Sequence, residues 1–303
     1  MDTANPRRPL GPRDPADAWA TGPAGRFWGL NGAAGLLAFD PSRGVLMQHR
    51  VAWSDHGGTW GLPGGARLMD EDPITAAVRE AGEEAGVPDR SVAVAGWHRF
   101  DVGYWSYTTI LAEVVIPFEP VISDPESEAL AWVPLEGIDR LPLHPGLGRT
   151  WPALRARVEH PAVLVVDIAN VMGSRPDGWW KDRAGAARRL LGRLAMLAPA
   201  GFPGPFFGLG EEWHLWAETV AVVEGQANRV EIPTPPHPYR HGTLRVVRAS
   251  RDGDQAIVDV VGDLRSADRE VTVVTSDRGL RSRVQALGAR AVGAGALLRQ
   301  LPE

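Results

Sequence analysis

Residues 60–87 read WGLPGGARLMDEDPITAAVREAGEEAGV, and this stretch decides the reading of the first half of the chain. The glycines around Pro63 break regular structure, so residues 57–66 (GGTWGLPGGA) are expected to be loop. A helix is predicted to open at Asp72-Pro73, because Asp is a good N-cap and Pro suits the first helical position. It runs through PITAAVREAGEEAG and stops at Gly86, a natural C-cap. Within it Glu80, Glu83 and Glu84 stand at i, i+3 and i+4 and share one face. Three neighbouring carboxylates repel one another, and a bound hard divalent cation would remove that repulsion. An all-oxygen donor set points to Mg²⁺ or Mn²⁺. Gly64 and Gly65, lacking side chains, let the backbone approach such an ion or a phosphate.

Working outward, GAAGLLAFDP (32–41) and GVLMQHRVAW (44–53) read as apolar strands joined by a turn over Asp40–Gly44. Strand-like runs follow in 92–116 and in EALAWVPL (128–135), and LGRTWPALRARV (147–158) reads as a short helix. The pattern restarts near 161. PAVLVVDIAN (161–170), ETVAVVEG (218–225) and VTVVTSDRG (271–279) are the continuous apolar runs of buried parallel strands. DRAGAARRLLGRLAML (182–197), DQAIVDVVG (254–262) and RGLRSRVQAL (278–287) are the helices between them, and the Gly/Pro-rich 199–213 is expected to be loop. Strands alternating with helices imply a doubly wound α/β domain. The expected organisation is a disordered tail over 1–27, one domain over 28–160 and a second over 161–303.

Composition sets the outer bounds. The 303 residues are 44% apolar and 23% charged, which suits two soluble globular domains. The absence of cysteine excludes disulfides and Cys-ligated zinc and fits a cytoplasmic location. No run of ~18 apolar residues is present, so no membrane-spanning helix is expected. Residues 1–160 hold 14 Arg against 21 Asp or Glu, and residues 161–303 hold 18 Lys or Arg against 16. Neither half carries the basic excess of a strong nucleic-acid binder.

From Gly65 the chain spells G-x5-E-x7-R-E-A-G-E-E-A-G-V, which resembles the Nudix box at every fixed position: Gly65, Glu71, Arg79, Glu80, Glu83, Glu84 and Gly86. The resemblance spans about 28–158. It implies an α/β/α sandwich with a mixed sheet and metal-dependent hydrolysis of a pyrophosphate linkage in a small nucleotide substrate. Members of that family act on oxidised or normal nucleoside triphosphates, ADP-ribose, dinucleoside polyphosphates, NAD and RNA caps, and the box does not choose among them. By that resemblance Glu83 and Glu84 are the principal metal ligands, with the Gly64 carbonyl beside them, and Glu80 is a further ligand or the base. Arg79 and Glu71 orient the carboxylates. The base often lies before the last strand, where Glu126 and Glu128 stand, and Glu126 is preferred. Trp53, Trp60, Trp97, Trp105 and Tyr107 are candidates for stacking on a base or for ordinary packing.

In the second half, Asp167 closes the first strand and is followed by Asn170, and Glu224 closes the middle one. Asp254 opens a helix, and Asp277 follows the last strand. Carboxyl ends of parallel strands are where ligands bind. This arrangement resembles the NYN/PIN-like nucleases over about 161–300, with Ile168 where glycine is common and Gln255 where a second Asp is common. It implies a Rossmann-like parallel sheet and metal-dependent cleavage of RNA, with an inactive binding domain beside a nucleotide-sensing first domain as the alternative. The Arg and Trp residues of 174–183 and the Arg residues of 245–251 are the segments that would contact RNA.

Overall fold

The structure is a computed structural model that describes residues 14–175, 178–230 and 242–302. The chain divides into two compact units, Met1–Val158 and Glu159–Glu303, two residues ahead of the expected boundary.

The first unit opens with a hairpin, β1 (Trp19–Gly22) and β2 (Gly25–Trp28), where a disordered tail is expected. Residues 1–13 of that tail lie outside the described residues. What orders the hairpin is aromatic packing. Trp19 meets Trp28 edge to face at 5.3 Å, and Phe27 stacks on Trp105 at 4.3 Å. Tyr104 Oη and Trp105 Nε1 donate to the carbonyls of Gly25 and Trp28. These contacts join residues almost 80 positions apart, which is why tail composition alone misleads.

Then come β3 (Ala33–Asp40), β4 (Gly44–Arg50), β5 (Trp60–Gly61), β6 (Gly64–Ala66), α1 (Pro73–Ala85), β7 (Val92–Asp101), β8 (Ser106–Val114), β9 (Ser127–Val133), α2 (Leu135–Ile138) and α3 (Pro145–Glu159). The sheet runs β7-β8-β3-β4-β5, with β6 on β3 and β9 on β4. It is mixed: β3 and β8 are parallel, and the other pairs are antiparallel. The expected loop over 57–66 is thus partly strand. Gly64 and Gly65 pair with Gly35 and Ala34, and a Cβ on Gly64 would sit 2.4 Å from the Gly35 Cα, so only glycine lets the two chains approach. Helix α1 begins and ends as expected. Asp72 accepts from the Ile74 and Thr75 amides, and Gly86 closes the helix at φ 65°. The α1 face carrying Ala76, Ala77, Ala81 and Ala85 is buried, and the helix packs on β3, β6 and β8.

The second unit contains β10 (Ala162–Asp167), α4 (Ile168–Gly173), α5 (Arg183–Leu197), β11 (Phe202–Pro203), β12 (Trp213–Leu215), β13 (Glu218–Val223), β14 (Leu244–Arg248), α6 (Gly253–Ser266), β15 (Glu270–Val274), α7 (Arg278–Ala286), β16 (Arg290–Val292) and α8 (Ala294–Gln300). Five strands form a wholly parallel sheet in the order β14-β13-β10-β15-β16. The order reverses between β10 and β15, the place where doubly wound sheets leave a crevice at their carboxyl ends. Val163, Val165, Val220 and Val273 on one sheet face join Ile257 and Val261 of α6 and Leu280 and Val284 of α7 in one core. The alternate residues Leu164 and Val166 are buried as well, the pattern of a sheet covered on both sides. The expected 199–213 loop contains the β11–β12 hairpin. Helix α6 is capped by Asp252 rather than opened by Asp254.

Candidate active site

The box helix carries its carboxylates against the glycine loop. Arg79 is their organiser. Its Nε and Nη2 grip Glu71 at 2.8 and 2.9 Å, Nη1 reaches Glu80 at 2.7 Å and Glu83 at 3.5 Å, and Nη2 also donates to Ala66 O. Glu71 accepts the Leu68 amide too, and the Arg79 fork holds its carboxyl below the ordinary range. Glu80 is pushed the other way by burial, in spite of Arg79. A Cβ at Gly65 would lie 2.8 Å from the Glu80 carboxylate, so that glycine is what admits Glu80 to the loop.

Glu84 is the deepest of the group, 7% exposed. The Gly64 N–H donates to its Oε2 at 2.8 Å, and Gln48 Nε2 lies 3.3 Å from the same oxygen. The glycine loop thus meets Glu84 through the Gly64 amide. Burial, then the charge of Glu80, holds the Glu84 pKa well above normal, with Asp124 and Glu126 adding to it. Among the described residues the donors on Glu84 are neutral and the charges acting on it are those of other acids, an electrostatically unfinished arrangement. Behind Glu84 runs a chain: Gln48 Nε2 donates to Ser127 Oγ at 2.8 Å, and Ser127 donates to Asp124 Oδ1 at 2.6 Å. The fully buried Gln48 Oε1 finds no hydrogen-bond partner among the described residues. Burial, then the charge of Glu84, raises the pKa of the Tyr107 phenol.

The two base candidates part company. Glu126 adds to the field on Glu84 and lies 3.8 Å from Arg50 Nη2. Glu128 pairs instead with His49 at 3.0 Å, and that ring packs on Trp60. Of the aromatic candidates, Trp105 is occupied by Phe27, while Trp53 is exposed. Gln48, Asp124 and Ser127 are the site residues the sequence reading lacks. A glutamine inside the apolar strand GVLMQHR is the one local signal that pointed to them.

The NUDIX domain profile matches residues 29–154. Over 154 residues the chain is 42% identical to a Mycobacterium tuberculosis protein provisionally named 8-oxo-dGTP diphosphatase 3, covering 47% of this chain and 70% of that one. The chain belongs to the Nudix hydrolase family. It is also 41% identical over 157 residues to a Bifidobacterium longum protein named as a nucleoside triphosphate pyrophosphatase/Nudix hydrolase fusion, covering 49% of this chain and spanning 33% of that protein's length. Among solved structures, the Nudix hydrolase RenU from M. smegmatis is 43% identical, with a TM-score of 0.42, over 47% of this chain and 94% of that one. No helix among the described residues of this Nudix protein is long and apolar enough to cross a membrane.

The second unit brings its sequence-marked acids together. Asp167, Asn170, Glu224, Asp254 and Asp277 line one cavity of about 170 Å³ at the carboxyl end of the parallel sheet, with Gly253 and Ile257. Asp167 caps α4 through Oδ1 to the Asn170 amide, and its Oδ2 accepts from Thr275 Oγ1 at 2.9 Å. Asn170 Oδ1 accepts the Ser276 amide. Glu224 accepts the Gly253 amide, and Asp277 caps α7 through the Leu280 amide. Burial raises the pKa of Asp167, helped by Asp254 and Glu224; burial raises Asp254 as well, helped by Asp277 and Asp252. The two departures face elsewhere. Ile168 is fully buried, and Gln255 is bonded to Asp259 and Arg283. Of the expected RNA-contacting arginines, Arg245 pairs with Glu218 and Arg248 donates to the Asn228 and Val230 carbonyls. Residues 176–177 of the 174–183 segment lie outside the described residues.

Proposed function

We propose that the first unit hydrolyses a pyrophosphate linkage in a nucleoside-diphosphate-type substrate, with Mg²⁺ or Mn²⁺ held by Glu80, Glu83 and Glu84. The observation that carries this reading is Glu84, buried among like charges with, among the described residues, only neutral donors on it. An oxygen-only donor set fits a hard divalent cation. When bound, that cation supplies charge neutralisation at the phosphates and an activated water. The residues of the chain do the rest. Arg79 and Glu71 fix the carboxylates in place, Gly64 and Gly65 bring backbone close to the phosphates, and Gln48 and Ser127 orient Glu84. Glu126, near Glu84 and on the loop before β9, is the base we assign to the attacking water.

The name of the M. tuberculosis relative makes oxidised purine nucleoside triphosphates the first substrates to try. The assay is product release from 8-oxo-dGTP, ADP-ribose and dinucleoside polyphosphates with Mg²⁺ or Mn²⁺, by the wild type and by Glu84→Gln. Turnover lost in Glu84→Gln supports the reading. Equal turnover in both overturns the assignment of Glu84, and metal-dependent binding without product selects a nucleotide sensor instead.

For the second unit we propose a metal-dependent ribonuclease of NYN/PIN-like type. The shared cavity of Asp167, Glu224, Asp254 and Asp277 favours it, and neither Ile168 nor Gln255 takes a wall position away. Cleavage of single-stranded RNA with Mn²⁺ by wild type but not by Asp254→Asn is the expected result. RNA binding without cleavage by either selects a binding domain.

A further inference from the structure

The segment between β4 and β5 is too short to bury a core of its own and is held by hydrogen bonds. Ser54 N–H donates to Val51 O at 3.1 Å, Gly57 N–H to Ser54 O at 3.0 Å, Gly58 N–H to Arg50 O at 2.9 Å, and Thr59 Oγ1 to His56 O at 2.6 Å. Arg50 Nε ties the loop inward at the Asp55 carbonyl, 3.1 Å away. Meanwhile a parallel bridge between Trp60 and Leu143, with His144 N–H donating to Trp60 O at 2.8 Å, carries His144 alongside. The His56 and His144 rings meet edge to face with centroids 4.8 Å apart, and His56 Nε2 lies 3.9 Å from Asp55 Oδ2. One ligand atom from each of the three residues lies within 4.8 Å of the other two.

We propose that Asp55, His56 and His144 form a second metal site, separate from the Nudix carboxylates and selective for a borderline divalent ion such as Zn²⁺. Two imidazoles and a carboxylate suit zinc and its neighbours, whereas Mg²⁺ prefers oxygen alone. Three ligands leave one position to water. Bonds of about 2.0–2.2 Å place tetrahedral ligand atoms about 3.4 Å apart. Closing the cluster therefore asks for a movement of about 1–1.5 Å, and Asp55 and His56 are exposed loop side chains able to make it.

His144 is the fixed ligand. It is half-buried at the start of α3, and its backbone is tied to Trp60 and to Gly148 of that helix. Its Nδ1 accepts the Gly146 amide at 3.1 Å, which leaves the ring proton on Nε2. A cation bound at Nε2 moves that proton to Nδ1 and displaces this one hydrogen bond. Arg50 and Arg149 oppose a cation here, and Asp55 favours it. Arg50 is itself offset by Glu126 at 3.8 Å. These opposed charges set the expected affinity below that of an all-thiolate zinc site.

The test is calorimetric titration of Zn²⁺ into the full chain with Mg²⁺ in excess, so that all-oxygen sites are filled. Co²⁺ then replaces zinc, so that its visible spectrum reports nitrogen ligation. The wild type is expected to bind one Zn²⁺ that Mg²⁺ does not displace. His56→Ala and His144→Asn should each weaken it at least tenfold, the asparagine keeping an N-cap at α3, while Glu83→Gln and Asp167→Asn leave it unchanged. No Mg²⁺-resistant zinc in the wild type, or undiminished zinc binding and Co²⁺ spectrum in His56→Ala, would overturn the site. His56 is exposed, so that variant decides the matter even where His144→Asn melts early.

Discussion

Replacing Arg79 by alanine tests whether one guanidinium organises the whole carboxylate face. The Arg79 side chain is 23% exposed, and those of Glu71 and Glu80 are 8% and 15% exposed. Removing the cation strands two mostly buried acids. Breaking a buried pair of this kind costs about 3–5 kcal/mol. In a unit of this size that lowers the midpoint of thermal unfolding by about 6–20 °C. Arg79→Lys keeps the charge but loses the two-pronged grip on Glu71, so an intermediate loss is expected. The pH dependence follows from Glu71. Arg79 lowers its pKa, so its contribution is complete above the unperturbed value of 4.5 and fades as the pH falls through the lowered native value. The difference between wild type and Arg79→Ala should therefore be full at pH 7 and shrink toward pH 3. Scanning calorimetry of the full chain measures it, with peptide-level hydrogen exchange assigning the transition to the first unit. A loss under about 1 kcal/mol at pH 7, or one that is the same at pH 3 and pH 7, refutes the reasoning.

Other outcomes can be stated briefly. Glu84→Gln should cut turnover roughly 10³-fold, the equivalent of about 4 kcal/mol of lost charge stabilisation. Because the native Glu84 pKa is raised, stability is lost as the pH rises from the unperturbed value of 4.5 through the native value. The metal-free Glu84→Gln protein should then be more stable than wild type at pH 8 and no different at pH 4.5; chemical denaturation in a chelator gives the answer, and a less stable variant at pH 8 contradicts it. Gly65→Ala places a Cβ 2.8 Å from the Glu80 carboxylate, so steady-state kinetics should show kcat down about 10²-fold with the melt little changed. Gly86→Ala forces an L-residue into φ 65° at the helix end and should cost about 1 kcal/mol in a urea melt.

The box helix was readable because its signals are local: Asp72, Pro73, Gly86 and the carboxylate spacing all lie within fifteen residues. The β1–β2 hairpin was not, since Trp19, Phe27 and Trp28 gain partners only when Tyr104 and Trp105 arrive. Gln48 is one polar residue within an apolar strand, and its bond to Ser127, 79 positions away, obeys no local rule. In the second unit the long apolar runs announced β10, β13 and β15. The edge strands β14 and β16 are short and half polar, so LRVVR read as a basic segment. The run RDGD offers two aspartates as helix caps, and Asp252 took the role assigned to Asp254. That exchange left the Asp254 carboxylate to face the cavity.

The hydrogen bonds of that cavity bear on how the second unit's ancestry is to be judged. Asp167, Glu224 and Asp277 each accept a backbone amide that starts a helix. Natural selection for a stable fold would preserve all three in a lineage that had abandoned chemistry long ago. Finding all three in a relative would thus be uninformative about its chemistry. Asp254 is different: its carboxylate accepts no such amide among the described residues, and its charge sits at a raised pKa beside Asp277 and Asp252. A protein drifting without a catalytic duty would lose that acid first, because neutral side chains there relieve repulsion. Position 254 is accordingly where descendants of a working enzyme and of a retired one should diverge.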